Sequence, residues 1–189
     1  MNSIPLYRAA DLRRIEAAAA EHPLMQRAGR AAADLAVEIC SDRGASILIL
    51  AGPGNNGGDA FEAARLLAAQ FFPVSVVFIG QAKDLPRDAA AAYQRYIDGG
   101  GSTLSAIPDV ARWSLIIDGL FGIGLTREIT GRYADLIGSA NALAVRDGCP
   151  LLALDCPSGL DADTGRLLGA TIRASHTITF ISGKPGLFT

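Results

Sequence analysis

Three polar clusters in this 189-residue chain follow directly on short apolar runs. Asn55-Asn56-Gly57-Gly58-Asp59 comes soon after Ser46-Ile-Leu-Ile-Leu50. Asp118 follows Ser114-Leu-Ile-Ile117 and opens the glycine-rich stretch to Arg127. Asp155-Cys-Pro-Ser158 follows Pro150-Leu-Leu-Ala-Leu154. Strand, glycine-rich turn and helix in that order set backbone N–H groups and a helix N-terminus against an anion. Glycine lets the backbone turn tightly and approach a ligand. The asparagines add amide groups, and the three aspartates add carboxylates able to accept or give protons.

Gly52-x-Gly54-x-x-Gly57 matches a dinucleotide fingerprint, but that match is weak alone. The fingerprint also needs an acid at the end of the second strand, about 20 residues on. Here Val74-Ser-Val-Val-Phe-Ile79 ends in Gly80-Gln81, and the first acid beyond is Asp84. No hydride-relay histidine accompanies the clusters either, since His22 and His176 lie outside them. A redox dehydrogenase is therefore disfavoured. A plain connecting turn explains one or two glycines, but not Asn55-Asn56 followed by Gly57-Gly58-Asp59.

Half the residues are hydrophobic and 19% are charged, enough for one domain with a proper core. Net charge is −2 and the only lysines are Lys83 and Lys184, so neither nucleic acid nor an anionic membrane is an expected partner. Any phosphate must be held by backbone and a few arginines. Cys40, Cys149 and Cys156 lack metal-site spacing and are odd in number, which suits free thiols in a reducing cytoplasm. The N-terminus shows no signal pattern and no apolar run is bilayer-length. A soluble, cytoplasmic protein is expected.

The elements that must position the clusters follow from periodicity. Helices are expected over 9–21 and 24–41, separated by Pro23, with Leu12, Ile15 and Ala19 on one face of the first. A strand over 46–50, a turn over 51–59 and a helix from Ala60 follow. Then come a strand over 74–79, a helix over 85–97 and a short strand within 102–107. A helical turn over 108–113 precedes the strand 114–117. A helix over 130–146 has Thr130 as N-cap. Strands over 150–154 and 176–181 complete the set. This alternation predicts an α/β fold: a Rossmann-like three-layer sandwich of one domain, 1–189, with a mostly parallel sheet and helices on both faces. In such folds ligands bind outside the carboxyl ends of the strands, where the three clusters can converge.

At this point the chain resembles the YjeF N-terminal domain family, the NAD(P)H-hydrate epimerases. The matching stretches are 55–59, Asp118-Gly-Leu-Phe-Gly-Ile-Gly-Leu125, Asp155-x-Pro-Ser-Gly-Leu-Asp-Ala-Asp-Thr-Gly165, Thr177-Ile-Thr-Phe180 and Lys184-Pro-Gly-Leu187. Leu24-Met25 with Ala28-Gly29 matches the family's N-terminal helix. The resemblance runs from about residue 9 to the end, in order.

The resemblance implies a Rossmann-like homodimer that interconverts the R and S epimers of NADHX and NADPHX, hydrates of the reduced nicotinamide ring. A partner dehydratase, separate or fused, uses only the S form. It implies a bound potassium ion (K+) with Asn56, Asp118 and Ser158 as ligands. It implies substrate contacts from Asn55, Asn56, Gly57, Gly58 and Asp59, from Gly122, Ile123, Gly124, Leu125, Thr126, Arg127 and Glu128, and from Asp155. Two positions depart from the pattern: Ala60 where glycine is frequent, and Glu128 where proline is common.

The residue types suit these roles. Amide, carboxylate and hydroxyl are hard oxygen donors, and one carboxylate among neutral oxygens favours a monovalent ion over calcium. Alone, Asp118 could equally cap a loop amide, and Ser158 could start a turn after Pro157. Epimerisation needs a C–O bond broken and remade on the other ring face, through an iminium or through ring opening. Asp155 is the candidate acid and base, or else a purely orienting hydrogen-bond partner. Asp161 and Asp163 read as turn and capping residues. A non-catalytic nucleotide- or partner-binding module on the same fold is the competing reading. The open edge after the strand 176–181 raises the expectation that this is the epimerase half of a longer, bifunctional protein.

Overall fold

Strand β1, Ile47–Ala51, is buried at all five positions, as its unbroken apolar run requires of a central parallel strand. A computed structural model of the chain describes residues 5–40, 42, 44–109 and 112–189. Around β1 lie β2 (Val74–Phe78), β3 (Thr103–Leu104), β4 (Leu115–Gly119), β5 (Leu151–Leu154) and β6 (His176–Ile178). They form one sheet in the order β3-β2-β1-β4-β5-β6, with every neighbouring pair parallel. The order reverses between β1 and β4, so a crevice opens beyond their carboxyl ends.

The helices among the described residues are α1 (Ala9–Ala18), α2 (Leu24–Ile39), α3 (Asn55–Ala69), α4 (Arg87–Asp98) and α5 (Gly131–Asp147). Alternation along β1 splits the core in two. Ile47, Ile49 and Ala51 pack with residues of α2, α3 and α4, including Phe61, Ala64 and Tyr96. Leu48 and Leu50 pack on the other face with Trp113 and with Leu136, Ile137 and Ala140 of α5. Full burial of each such aliphatic side chain contributes roughly 1.5–3 kcal/mol. The expected three layers are present, with three helices on one face and α5 on the other. No helix among the described residues is long and apolar enough to cross a membrane.

Several boundaries differ from expectation. Asn55–Asp59 is not a turn but the start of α3, entered from Gly54. Asp118 lies inside β4, which runs on to Gly119. The strand expected over 176–181 is three residues long, because β5 offers it only Leu152–Leu154 as partners. The first two helices end earlier, at Ala18 and Ile39, and α4 starts at Arg87. Thr130 occupies the N-cap position of α5 but its hydroxyl makes no capping bond. The expected helical turn over 108–113 falls partly on residues 110 and 111, outside the described residues, and its described part is not helical.

Candidate functional site

The crevice is held open by close backbone contact beneath it. Gly52 donates its N–H to the Gly119 carbonyl at 3.0 Å, and a Cβ on Gly52 would collide with the Leu120 carbonyl. A Cβ on Gly57 would in turn collide with the Gly52 carbonyl. Glycine at both positions lets the N-terminus of α3 settle onto the ends of β1 and β4. There the backbone N–H groups of Asn55 and Asn56 have no acceptor among the described residues, as the first turn of a helix leaves them.

Beside this helix start, the buried Asp118 and Ser158 are joined. Asp118 Oδ1 accepts from the Ser158 hydroxyl at 2.7 Å and from the Leu120 N–H at 3.1 Å, and Oδ2 accepts from the Ser158 N–H at 2.8 Å. Ser158 Oγ also accepts the Phe121 N–H at 2.9 Å. Burial raises the Asp118 carboxyl to about 6, against the lowering effect of these hydrogen bonds. The Asn56 main-chain carbonyl packs 3.1 Å from where a Cβ of Gly119 would stand. Asn56 is 8% exposed, and its side chain leaves both Nδ2 and Oδ1 without a partner. A buried amide with nothing to bond costs about 1–3 kcal/mol unless a ligand satisfies it. An unmet amide on α3 and the joined carboxylate and hydroxyl of Asp118 and Ser158 make up a hard-oxygen donor set whose chemistry fits an alkali cation.

The third cluster carries a carboxylate held at both oxygens. Asp155 adopts φ +65°, the left-handed region that aspartate tolerates better than most residues. This bend follows the end of β5. Asp155 Oδ2 accepts the Ile123 N–H at 2.9 Å, and Oδ1 pairs with Lys184 Nζ at 2.5 Å. Both residues line a groove of about 1370 Å³ together with Asn55, Asn56, Asp59 and the loop 120–125. The groove is larger than the pockets of about 300–1,000 Å³ typical for drug-sized ligands. Its outer wall comes from α1, α2 and α4; Arg13 of α1 reaches the Ile123 carbonyl at 3.4 Å.

The model of the YjeF-related protein N-terminus matches residues 21–186. The chain belongs to this family. It is 47% identical over 165 residues to an NAD(P)H-hydrate epimerase of Achromobacter xylosoxidans, covering 87% of this chain and 76% of that protein. It is 40% identical to the bifunctional NAD(P)H-hydrate repair enzyme Nnr of Escherichia coli, over 99% of this chain but 37% of that one. A crystal structure of yeast ynu0 superposes with a TM-score of 0.80 over 98% of this chain and 84% of the yeast chain; at 18% identity it shows the shared fold.

Within this family member, the groove gathers Asn55, Asn56, Asp59, Gly122, Ile123, Gly124, Leu125 and Asp155. Gly57 and Gly58 are buried beneath it, Gly58 against Met25 of α2 and Ala89 of α4. Thr126, Arg127 and Glu128 are exposed and do not line it. His22 lines the rim and is exposed, while His176 lies on the edge strand. Asp161 closes a turn by accepting from Asp163 N–H and Thr164, and Asp163 caps α1 by accepting the Ala9 N–H at 2.7 Å. All three cysteines are free. Burial, then the neighbouring Asp155, pushes the Cys156 thiol up to about 12.

Sequence reasoning gave no role to Lys184 or to Glu16. Lys184 was visible as one of only two lysines, set in the Lys184-Pro-Gly motif. Its pairing with Asp155, 29 positions away, has no periodic signature. Glu16 of α1 also lines the groove; burial first, then Asp155, raises its carboxyl above the ordinary range, with Lys184 and Arg13 opposing.

Proposed function

We infer that this chain is an isomerase that interconverts the R and S epimers of hydrated NADH and NADPH, a metabolite-repair reaction. The observation that carries the reading is a carboxylate, Asp155, fixed at both oxygens in a groove at the switch point of a dinucleotide-type sheet. The reading accords with relatives at 40–48% identity that bear the epimerase and repair names. Asp155 is placed to move the proton of the hydroxyl on the hydrated ring carbon, while the Ile123 N–H and Lys184 hold its orientation. The free N–H groups at the start of α3 suit a phosphate or another anionic part of the dinucleotide.

Potassium is the cofactor we assign to Asn56, Asp118 and Ser158. The unsatisfied Asn56 amide and the single buried carboxylate support it. When bound, the ion would supply positive charge that ties the start of α3, the end of β4 and the segment after β5 together. We assign it a partner dehydratase that consumes the S epimer; the bifunctional repair name of the Escherichia coli relative accords with a second activity. We place it in the cytoplasm, where its free thiols stay reduced, as a homodimer.

The test is direct. R-NADHX is supplied to the purified chain with an S-specific dehydratase, and NADH formation is followed. Full consumption of the R epimer only when the chain is present is the expected result. Conversion no faster than without the chain overturns the reading.

A further inference from the structure

The groove holds a second carboxyl that no structural contact employs. Asp59 stands near the start of α3, one turn after Asn56, and lines the groove with it. Asp155 has both oxygens engaged, whereas the Asp59 carboxyl makes no hydrogen bond or ion pair among the described residues. Desolvation lifts it well above the usual carboxylate range; Asp155, Glu16 and Glu62 add like charge and Lys184 opposes. Glu62 itself is committed to Arg65 and Arg95. The other charged groups lining the groove are Arg13 of α1, Glu21, Arg27 of α2, and Arg87 and Asp88 of α4. The buried, unpartnered Asn56 amide, assigned above to the cation, lies at the same end of the groove and marks it as ligand-facing.

We propose that Asp59 is the second proton-transfer group of the epimerisation, acting from the α3 side of the groove while Asp155 acts from the β5 side. This rests on the epimerase reading. Replacing a hydroxyl on one ring face by a hydroxyl on the other needs an acid and a base on different sides of the ring. In one direction, neutral Asp59 gives its proton to the hydroxyl as the C–O bond breaks, and the ring-nitrogen lone pair forms the C=N bond of an iminium. Water leaves. A water then adds to the opposite face, the C=N electrons return to nitrogen, and the Asp155 carboxylate takes the released proton. One proton has passed from Asp59 to Asp155, with no oxidation or reduction. The reverse reaction exchanges their roles, so each protonation state of the pair serves one epimer, and exchange with solvent resets it. Lys184 pairs with Asp155 in the resting groove, whereas Asp59 has no ion-pair partner among the described residues.

The test uses the coupled R-to-S assay. Asp59→Asn keeps the shape and removes the proton. It should lower kcat about 10²–10⁴-fold with KM changed little. In wild type, kcat/KM should fall on an alkaline limb as Asp59, raised by burial, loses its proton. Asp59→Asn should lose the alkaline limb, and Asp59→Glu should recover part of both rate and limb. Near-wild-type turnover in Asp59→Asn overturns the proposal, as does a loss of rate with the alkaline limb intact. If Asp59→Asn does not fold, Asp59→Glu decides: a shifted alkaline limb supports the role and an unmoved one overturns it. A wild-type chain that does not interconvert the epimers overturns both readings; one that does, with Asp59→Asn equally fast, overturns this one alone.

Discussion

Lys184 Nζ lies 2.5 Å from Asp155 Oδ1, with the lysine side chain 1% exposed and the aspartate 13%. The same ammonium donates to Thr179 Oγ1 at 2.6 Å and to the Phe180 carbonyl at 2.9 Å. Its three N–H donors thus meet three acceptors. The segment after β6 therefore fixes the lysine, and the lysine fixes the carboxylate. Asp155→Asn should cost about 10²–10⁴ in epimerisation, because the amide keeps the hydrogen-bonding shape but moves no proton. Ligand binding should survive. Lys184 loses its counter-charge, so melting should also fall, by no more than the roughly 3–5 kcal/mol of a broken buried pair. Steady-state kinetics beside a titration with NADH-type ligand check this; turnover near wild type would mean that Asp155 only orients.

Potassium should stabilise the chain with the logarithm of its concentration above the dissociation constant, by about 2.7 kcal/mol at one hundred times that constant. Asn56→Ala separates the ion from the fold. The Asn56 amide has no protein partner to lose, so without potassium the variant should melt at or above the wild-type temperature. In potassium the wild type should gain stability and the variant should not. Equal gains in both, measured by thermal melts in potassium against lithium chloride, would remove Asn56 from the ligand set.

Much of this was legible in the chain. Apolar runs of four or five residues, each ending in polar residues, gave the buried strands and their active ends, because a strand covered on both faces has no room for polar side chains until it emerges. The helix start at Asn55 was not legible. Two asparagines and two glycines are poor helix formers, and only the contact of Gly57 with Gly52 and of Gly58 with Met25 makes a helix there the packed solution. Asp59 thus read as a turn residue, although its place one turn after Asn56 is what puts it in the groove. Lys184 and Glu16 were hidden for another reason: their roles arise from tertiary contacts that leave no trace in spacing.

Asp147 gives a pH signature away from the site. Its Oδ2 accepts the Trp113 N–H at 2.7 Å, and Arg146 Nε sits 2.6 Å from Oδ1. The Arg146 hydrogen bond, then the Trp113 N–H, holds the carboxyl below its ordinary value. A carboxyl depressed in the folded state stabilises above its unfolded value and loses that stabilisation as pH falls through the folded one. Asp147→Asn should therefore melt below wild type at pH 7, and the gap should start to narrow as pH falls below about 4 and close below the depressed folded value. Trp113, the one tryptophan in the sequence, is buried and reports unfolding by fluorescence. A gap that stays constant from pH 7 to 3 would count against the ionised pair.

Two glycines in helices should respond oppositely to the same substitution. Alanine in a helix interior is favoured over glycine by about 0.5–1 kcal/mol. Gly138 of α5 is exposed, and a Cβ there meets nothing within 4 Å. Gly138→Ala should therefore raise stability by about that amount and leave epimerisation unchanged. Gly57 has the same intrinsic gain available, but its Cβ would strike the Gly52 carbonyl, a backbone atom fixed by the end of β1. Relief requires α3 to lift from the sheet. That overpacking costs typically 1–3 kcal/mol, more than the helix gain, and it displaces Asn56 and Asp59 with the helix. Gly57→Ala should thus lose stability, potassium response and turnover together. If it keeps turnover while Gly138→Ala is stabilised as expected, the seat of α3 on Gly52 is not what sets the geometry of the groove.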